Sequence, residues 1–579
     1  MGIFKKTLFF LNKKHKLQAV KLFFLMMLGM LLEVAGVGLI IPILGIITNK
    51  EIISSNIYLS EFFKIINSFE GLSPILVVMI VFGCFFIFKA IFMIFLSWRQ
   101  SSFIFLLQAD LSKSLFNGYL RLPYTFHLQR NSSELHRNID ETADIAAAVS
   151  AQAIFISELL VLTGIIILLL VIEPIGTLIV IFFFMTTSFL LYFLTKNILH
   201  KFGSKRHIDE SHRLRHLKHG LTGIKVIKAS GYEDYFVKKF SFYVYSIANI
   251  NKKQTVVRGL PRILLETLTV VSLACLVSVL TLQNQSTSEI ITLIAVFGAA
   301  AFRLIPSFNK LIGSAQTLKY VSPVLTTLFN EFKSLNLISY NKEIVNTNLD
   351  VNPINFSTSS SIDLNNISLT YPGTDTQVLN KLSLVINYAD TIGISGESGS
   401  GKSTLIDVIM GLISINLGTI KVDGNNINDN LRGWQKNIGY VPQEIFLIDD
   451  TIASNIAFGV EVDLVDDEAL KSSIKMSSIG DFIESLPLGV KTIVGENGAR
   501  LSGGQRQRIG IARALYHRPS LLIFDEATSA LDIETEKRIM DTIYAISNER
   551  TIIIITHRPN TLKHCNKIFM MENGSLKAK

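Results

Sequence analysis

Gly396-Glu397-Ser398-Gly399-Ser400-Gly401-Lys402-Ser403 stands between an apolar run, Asp390–Ser395, and an amphipathic one, Thr404–Met410. The order predicts strand, glycine-rich loop, helix, and G-x-x-x-x-G-K-S is the spacing of a phosphate-binding loop. Glycines let backbone N–H groups turn inward around a phosphate, and the following helix offers it a positive end. Gly396, Glu397, Ser398, Gly399, Ser400, Gly401, Lys402, Ser403 and Thr404 are therefore candidates to hold a nucleotide such as ATP. Lys402 is suited to the β- and γ-phosphates and the Ser403 hydroxyl to Mg²⁺.

Outward from the loop, more chemistry appears. Leu521-Leu522-Ile523-Phe524-Asp525-Glu526 reads as an apolar strand ending in two carboxylates. Asp525 suits a metal held through water, and Glu526 a general base that polarises an attacking water. Gln443 follows the strand around Tyr440-Val441 and can sense metal and γ-phosphate; His557 follows Ile552–Ile555 and can reach the γ-phosphate. Tyr371 is an aromatic that can stack on adenine. Leu501-Ser502-Gly503-Gly504-Gln505 opens a helix carrying Arg506 and Arg508, and Ser529-Ala530-Leu531-Asp532 follows the carboxylates.

This set, in this order over residues 360–579, resembles the nucleotide-binding domain of ATP-binding cassette (ABC) proteins. The resemblance implies catalytic roles for Glu526, His557, Gln443 and Lys402, and metal contacts from Ser403, Gln443 and Asp525. It implies nucleotide contacts from Ser502, Gly503, Gly504, Gln505 and Asp532. In that family Ser502 and Gly504 contact the γ-phosphate held by the loop of another copy. One loop and one LSGGQ stretch per chain thus imply a homodimer with two identical ATP sites. Glu496 matches a stretch that touches the membrane domain in exporters, and Arg130–Glu134 and Gly220–Ser230 match its coupling helices.

The rest of the chain is apolar. Of 579 residues, 49% are hydrophobic and 17% charged, which excludes an ordinary soluble composition. Residues 1–340 hold 33 Lys+Arg against 18 Asp+Glu, a net +15, and residues 341–579 hold 22 against 28, a net −6. Basic charge beside apolar runs reads as membrane flanks, not nucleic-acid binding. Three scattered cysteines, Cys84, Cys275 and Cys565, argue against a disulfide framework or zinc site. The basic N-terminus, Met1–Lys16, reads as a cytoplasmic flank and not as a cleaved signal.

Six apolar runs, 20–47, 74–98, 151–172, 175–194, 260–282 and 290–312, each suit a crossing of ~30 Å of hydrocarbon. Long basic connections after the second and fourth place both termini and the connections in the cytoplasm. The expected architecture is an α-helical membrane domain over 1–335, its six transmembrane helices extended into the cytoplasm. A linker over 336–360 and an α/β P-loop nucleotide-binding domain over 361–579 follow. Six spans before one such domain resemble an exporter-type half-transporter of a bacterial inner membrane. Residues 57–66 have helical apolar spacing and read either as an external amphipathic helix on the membrane or as an ordered loop.

The spans carry ionisable residues: Glu33, Lys89, Glu158, Arg262, Glu266, Arg303 and Lys310. Charge at mid-bilayer costs at least ~2.5–3.5 kcal/mol, so such groups face a cavity or a partner. Arg262 and Glu266 lie one turn apart and either pair or line a cavity. Arg303 and Lys310 lie seven residues apart on one face with no acidic residue between them. With Lys89 they read as the lining of a cavity for an anionic head group.

Leu260–Glu266 and Phe302–Lys310 resemble the bacterial flippases of lipid-linked oligosaccharides, the PglK group. That resemblance implies outward movement of an undecaprenyl-diphosphate oligosaccharide for protein N-glycosylation, with Arg262, Arg303, Lys310 and Lys89 toward the diphosphate. Lys310 departs from the group's usual arginine; it keeps the charge but loses bidentate phosphate geometry. The alternatives are a lipid A or multidrug exporter and, from another class, an ATP-gated channel or regulatory receptor on the same scaffold. Intact ATP residues disfavour the last.

Overall fold

The computed structural model describes residues 2–39, 74–172, 174–282, 287–335, 354, 356, 357, 360–527, 532–545 and 547–578. The external stretch 57–66, residues 40–47 of the first run and most of the 336–360 linker lie outside them. The chain forms two compact units: Met1–Leu122 with Gln129–Asn346, and Thr347–Lys579 with Pro123–Leu128.

The first unit is helical. Its elements are α1 (Ile3–Phe9), α2 (Lys13–Gly38), α3 (Pro74–Arg121), α4 (Tyr124–Gln129, mostly in the second unit), α5 (Ser132–Asp140), α6 (Thr142–Ile172), α7 (Pro174–Thr222), α8 (Ile224–Ser230), α9 (Glu233–Leu282) and α10 (Thr287–Ser334). At 1.5 Å per residue the 49 residues of α7 span about 74 Å, far more than the hydrocarbon layer. Pro174 at the first turn of α7 costs no hydrogen bond, because its missing N–H would have had no partner there. Among the described residues, four helical stretches are long and apolar enough to cross a membrane: Lys13–Gly38, Met79–Arg121, Ser132–Val171 and Pro174–Thr222. The fifth and sixth apolar runs are helical within α9 and α10. The segment that groups with the second unit, 123–128, ends just before the expected coupling stretch Arg130–Glu134.

Helix packing is tightest where side chains vanish. A methyl added at Gly203 of α7 would overlap the Tyr320 carbonyl of α10. A buried core joins Val161, Ile165 and Leu169 of α6 to Ala300, Leu304 and Ile312 of α10.

The second unit holds two sheets. The six-stranded one runs β10-β9-β3-β8-β7-β6, where β3 is Thr391–Gly396, β6 Ile438–Val441, β7 Leu521–Asp525, β8 Thr551–Ile555, β9 Lys567–Glu572 and β10 Ser575–Ala578. All its pairs are parallel except β9–β10. β3, β7 and β8 are buried almost throughout, which is why they read as continuous apolar runs. A smaller antiparallel sheet orders β2 (Gln377–Asn387), β1 (Ser361–Thr370), β4 (Leu417–Val422) and β5 (Asn425–Asn426). The loops after β3, β6, β7 and β8 all open at the carboxyl end of the parallel strands, where α/β sheets place their ligands.

Candidate functional site: a nucleotide site and a membrane charge network

The loop Gly396–Gly401 joins β3 to α11 (Lys402–Ile409). Gly401 caps that helix at φ 105, and a side chain there would press on the Val378 carbonyl, so the position needs glycine. Lys402 is buried and its Nζ donates to the carbonyls of Gly396 (2.9 Å) and Glu397 (2.8 Å), so the loop is wrapped on its own cation. Ser400 Oγ is buried in the loop with no hydrogen-bond partner. A buried lysine, an unsatisfied hydroxyl and a helix N-terminus make a cradle that fits a phosphate.

At the end of β7 the two carboxylates diverge. Asp525 takes side-chain hydrogen bonds from Ser403 and Tyr440; burial, then the charge of Glu526, raises its pKa above the usual range. This Ser403–Asp525 oxygen pair is the donor set that suits Mg²⁺. Glu526 sits at φ 51, a left-handed conformation that costs a non-glycine residue about 1–2 kcal/mol. That turn brings its carboxylate to Gln443 Nε2 (3.0 Å) and His557 Nε2 (3.0 Å). Three strand ends, β6, β7 and β8, thus deliver one residue each to a single point.

Tyr371 is hydrogen-bonded through its hydroxyl to Thr404 Oγ1 (3.1 Å) at the start of α11. Ser502 caps α12 (Gly503–Tyr516): its Oγ accepts from Gln505 N (3.2 Å) while Gln505 Oε1 accepts from Ser502 N (2.8 Å). Asp532 Oδ1 accepts from Thr535 N (2.9 Å), which holds its pKa below the usual range. Among the described residues no hydrogen bond or ion pair joins Ser502, Gly503, Gly504 or Gln505 to residues 396–404. The sequence reading overlooked Asp407, one turn after Ser403 on α11. Burial, then the charge of Asp525, raises its pKa from 3.8 to about 6. Its signal was the i, i+4 spacing from Ser403.

In the membrane unit the expected cations are paired. Glu33 of α2 accepts from Lys89 of α3 (2.7 Å) and from Arg303 of α10 (3.1 Å). Glu158 of α6 lies 3.7 Å from Arg303 and 2.8 Å from Lys310, and accepts from Ser307 Oγ (2.7 Å). The acidic partners missing along α10 come from other helices. Three cations against two carboxylates leave one positive charge. The Lys310 side chain is 54% exposed, against 19% for Arg303 and 16% for Lys89, so Lys310 is the open end of this network. Arg262 stands apart, exposed and paired with Glu266 (2.8 Å).

With this geometry in view, the comparisons are decisive for the family. The ABC transporter transmembrane region matches residues 11–303 and the ABC transporter domain residues 379–529. The chain belongs to the ABC transporter family. This transporter is 29% identical over 479 residues to an ATP-dependent lipid A-core flippase of Saccharophagus degradans, covering 81% of this chain and 77% of that one. It is 42% identical over 216 residues to proteins of Staphylococcus aureus that carry a provisional multidrug export ATP-binding/permease name; that match spans 37% of each chain. A bacterial Atm1-family ABC exporter with ATP bound has the same fold, with TM-score 0.74 at 21% identity over 97% of this chain and 94% of that one. The transporter is thus a helical membrane domain and an α/β nucleotide-binding domain, with the fold of an Atm1-family ABC exporter.

Proposed function

We propose that this transporter hydrolyses ATP as a homodimer and uses the cycle to move an anionic lipid from the inner to the outer leaflet of a bacterial inner membrane. Lys402 and the loop amides bind the β- and γ-phosphates. Mg²⁺, held by Ser403 and Asp525 with Gln443 nearby, would supply charge neutralisation at the phosphates. Glu526 accepts a proton from water as that water attacks, while His557 orients the carboxylate and the γ-phosphate end. Glu526 is tied to Gln443 and His557 here, so these bonds must loosen or re-aim before it takes a water proton. Ser502 and Gly504 reach the nucleotide of the second copy, which agrees with there being, among the described residues, no hydrogen bond or ion pair from them to residues 396–404 of their own chain.

The observation that carries the substrate class is the network of Glu33, Lys89, Glu158, Arg303 and Lys310, with its surplus cation at exposed Lys310. A buried ionic network is costly to build in a membrane, and a net positive end suits an anionic head group. The substrate reading is a polyprenyl-diphosphate oligosaccharide, as the resemblance of Phe302–Lys310 implies. A second reading, export of lipid A-core or a drug, follows the printed names of the relatives. Both are tested by ATP-dependent translocation of a labelled polyprenyl-diphosphate oligosaccharide in proteoliposomes, with Glu526→Gln as control. Translocation lost in the control supports the first reading. ATPase stimulated only by lipid A or drugs moves the function to the second.

A further inference from the structure

A second feature of the membrane unit is apolar. A cavity of about 660 Å³ lies between α1, α6, α7 and α10. The three long helices each give it a stripe at 3–4-residue spacing: Leu159 and Leu162 on α6, Met185 and Phe189 on α7, Leu311, Ala315 and Leu318 on α10. Ile3 and Phe4 of α1 close one end. That end is built: Lys6 donates to Thr326 (2.7 Å), Thr7 donates to Gln152 (2.8 Å), and Phe9 packs edge-on against Phe329.

Four polar residues interrupt the lining: Thr163, whose Oγ1 donates to the Leu159 carbonyl (2.8 Å), Tyr192, Ser188 and Lys319. Ser188 Oγ is buried without a hydrogen-bond partner, and Lys319 stands at the cavity's edge. Lys319 is seven residues beyond Ile312, where the last apolar run ends, or about 10 Å along the helix. The head-group layer extends about 5–7.5 Å past the hydrocarbon edge, and the flexible lysine stem reaches back into it. The cavity is not the charge network: none of Glu33, Lys89, Glu158, Arg303 and Lys310 is among its lining residues. The packed core of Val161, Ile165, Ala300 and Leu304 sits between α6 and α10.

We propose that this groove holds one acyl chain of an anionic glycerophospholipid from the surrounding leaflet, with its phosphate at Lys319. Depth argues for a bilayer lipid: the apolar stripes lie within the hydrocarbon-spanning parts of α6 and α7, and the cation lies where a phosphate lies. Charge argues for an anionic head, since a lysine near such a surface favours anionic lipid. The chain would join α1 to α6, α7 and α10, so the lipid is a structural ligand of this corner of the bundle. This inference is independent of the exported substrate.

The test uses the solubilised full chain and needs neither transport nor ATPase. Phosphatidylglycerol and phosphatidylcholine are titrated separately, read by native mass spectrometry and thermal unfolding. The expected result is one tightly held phosphatidylglycerol per chain, a rise in Tm with it, and weaker phosphatidylcholine binding. Lys319→Glu should weaken phosphatidylglycerol binding about tenfold while leaving phosphatidylcholine unchanged, and Lys319→Arg should retain it. Ser188→Phe, which fills the groove, should lose both lipids. Should Lys319→Glu misfold, Lys319→Gln gives the same reading with a smaller loss. Phosphatidylglycerol binding unchanged in Lys319→Glu and Lys319→Gln overturns the proposal, as does binding of a polyprenyl phosphate with no binding of either phospholipid.

Discussion

In the nucleotide-binding unit the charged groups sit in short runs, Ser398–Ser403 and Asp525–Glu526, and the strand ends of one sheet gather them. In the membrane unit Glu33, Lys89, Glu158, Arg303 and Lys310 come singly from α2, α3, α6 and α10. The first cluster opens to solvent at Glu526 and His557 and is poised for a ligand; the second is largely buried and satisfies itself. Water can reorganise around a carboxylate at a strand end. A carboxylate between membrane helices has only its protein partners, so removing one partner strands the other.

The contrast can be broken from either side. Glu526→Gln should leave ATP binding intact and lower kcat by about 10²–10⁴-fold, the range for a lost general base. Near wild-type turnover would remove Glu526 from that role. Glu158→Gln should leave nucleotide binding unchanged but destabilise the membrane unit by about 3 kcal/mol, read as a lower Tm in detergent. Combining it with Lys310→Met should restore part of the loss; no restoration would mean the two do not act as a pair.

Smaller effects sharpen the comparison. Gly203→Ala forces α7 from the Tyr320 carbonyl and should cost about 2 kcal/mol, with the same Tm readout. Asp407→Asn tests the solvated site without ligand, under chelator. Its folded pKa of about 6 lies above the usual 3.8, so the folded state favours the protonated form. The contribution of Asp407 to stability is therefore fully present below about pH 4 and is lost as pH rises through 6. Asparagine removes that loss. The variant should be more stable by about 1 kcal/mol at pH 8, allowing for solvent screening, and equal to wild type below pH 4. Arg262→Gln, at an exposed pair, should leave Tm unchanged, in contrast to Glu158→Gln.

Lys402, Glu526, Gln443 and His557 were legible as candidates because local spacing encodes the strand–loop–helix turns that present them. The parallel strands β3, β7 and β8 were legible for a related reason: burial on both faces writes an unbroken apolar run. β2, β4 and β9 were not. β2 and β4 alternate buried and exposed residues, a pattern that mixed polar composition hides. Glu33 and Glu158 stood out as ionisable, but their partners lie far along the chain.

By itself, then, the sequence determined the family scaffold, the phosphate loop and its companions, and the apolar helices, because each depends on residues within a few turns of one another. Only the tertiary structure decided that Arg303 and Lys310 are paired with Glu158, that Glu526 meets Gln443 and His557, and that α1 closes an apolar groove. Those are contacts between elements remote in sequence, and their formation is set by helix packing and sheet order, not by any local pattern.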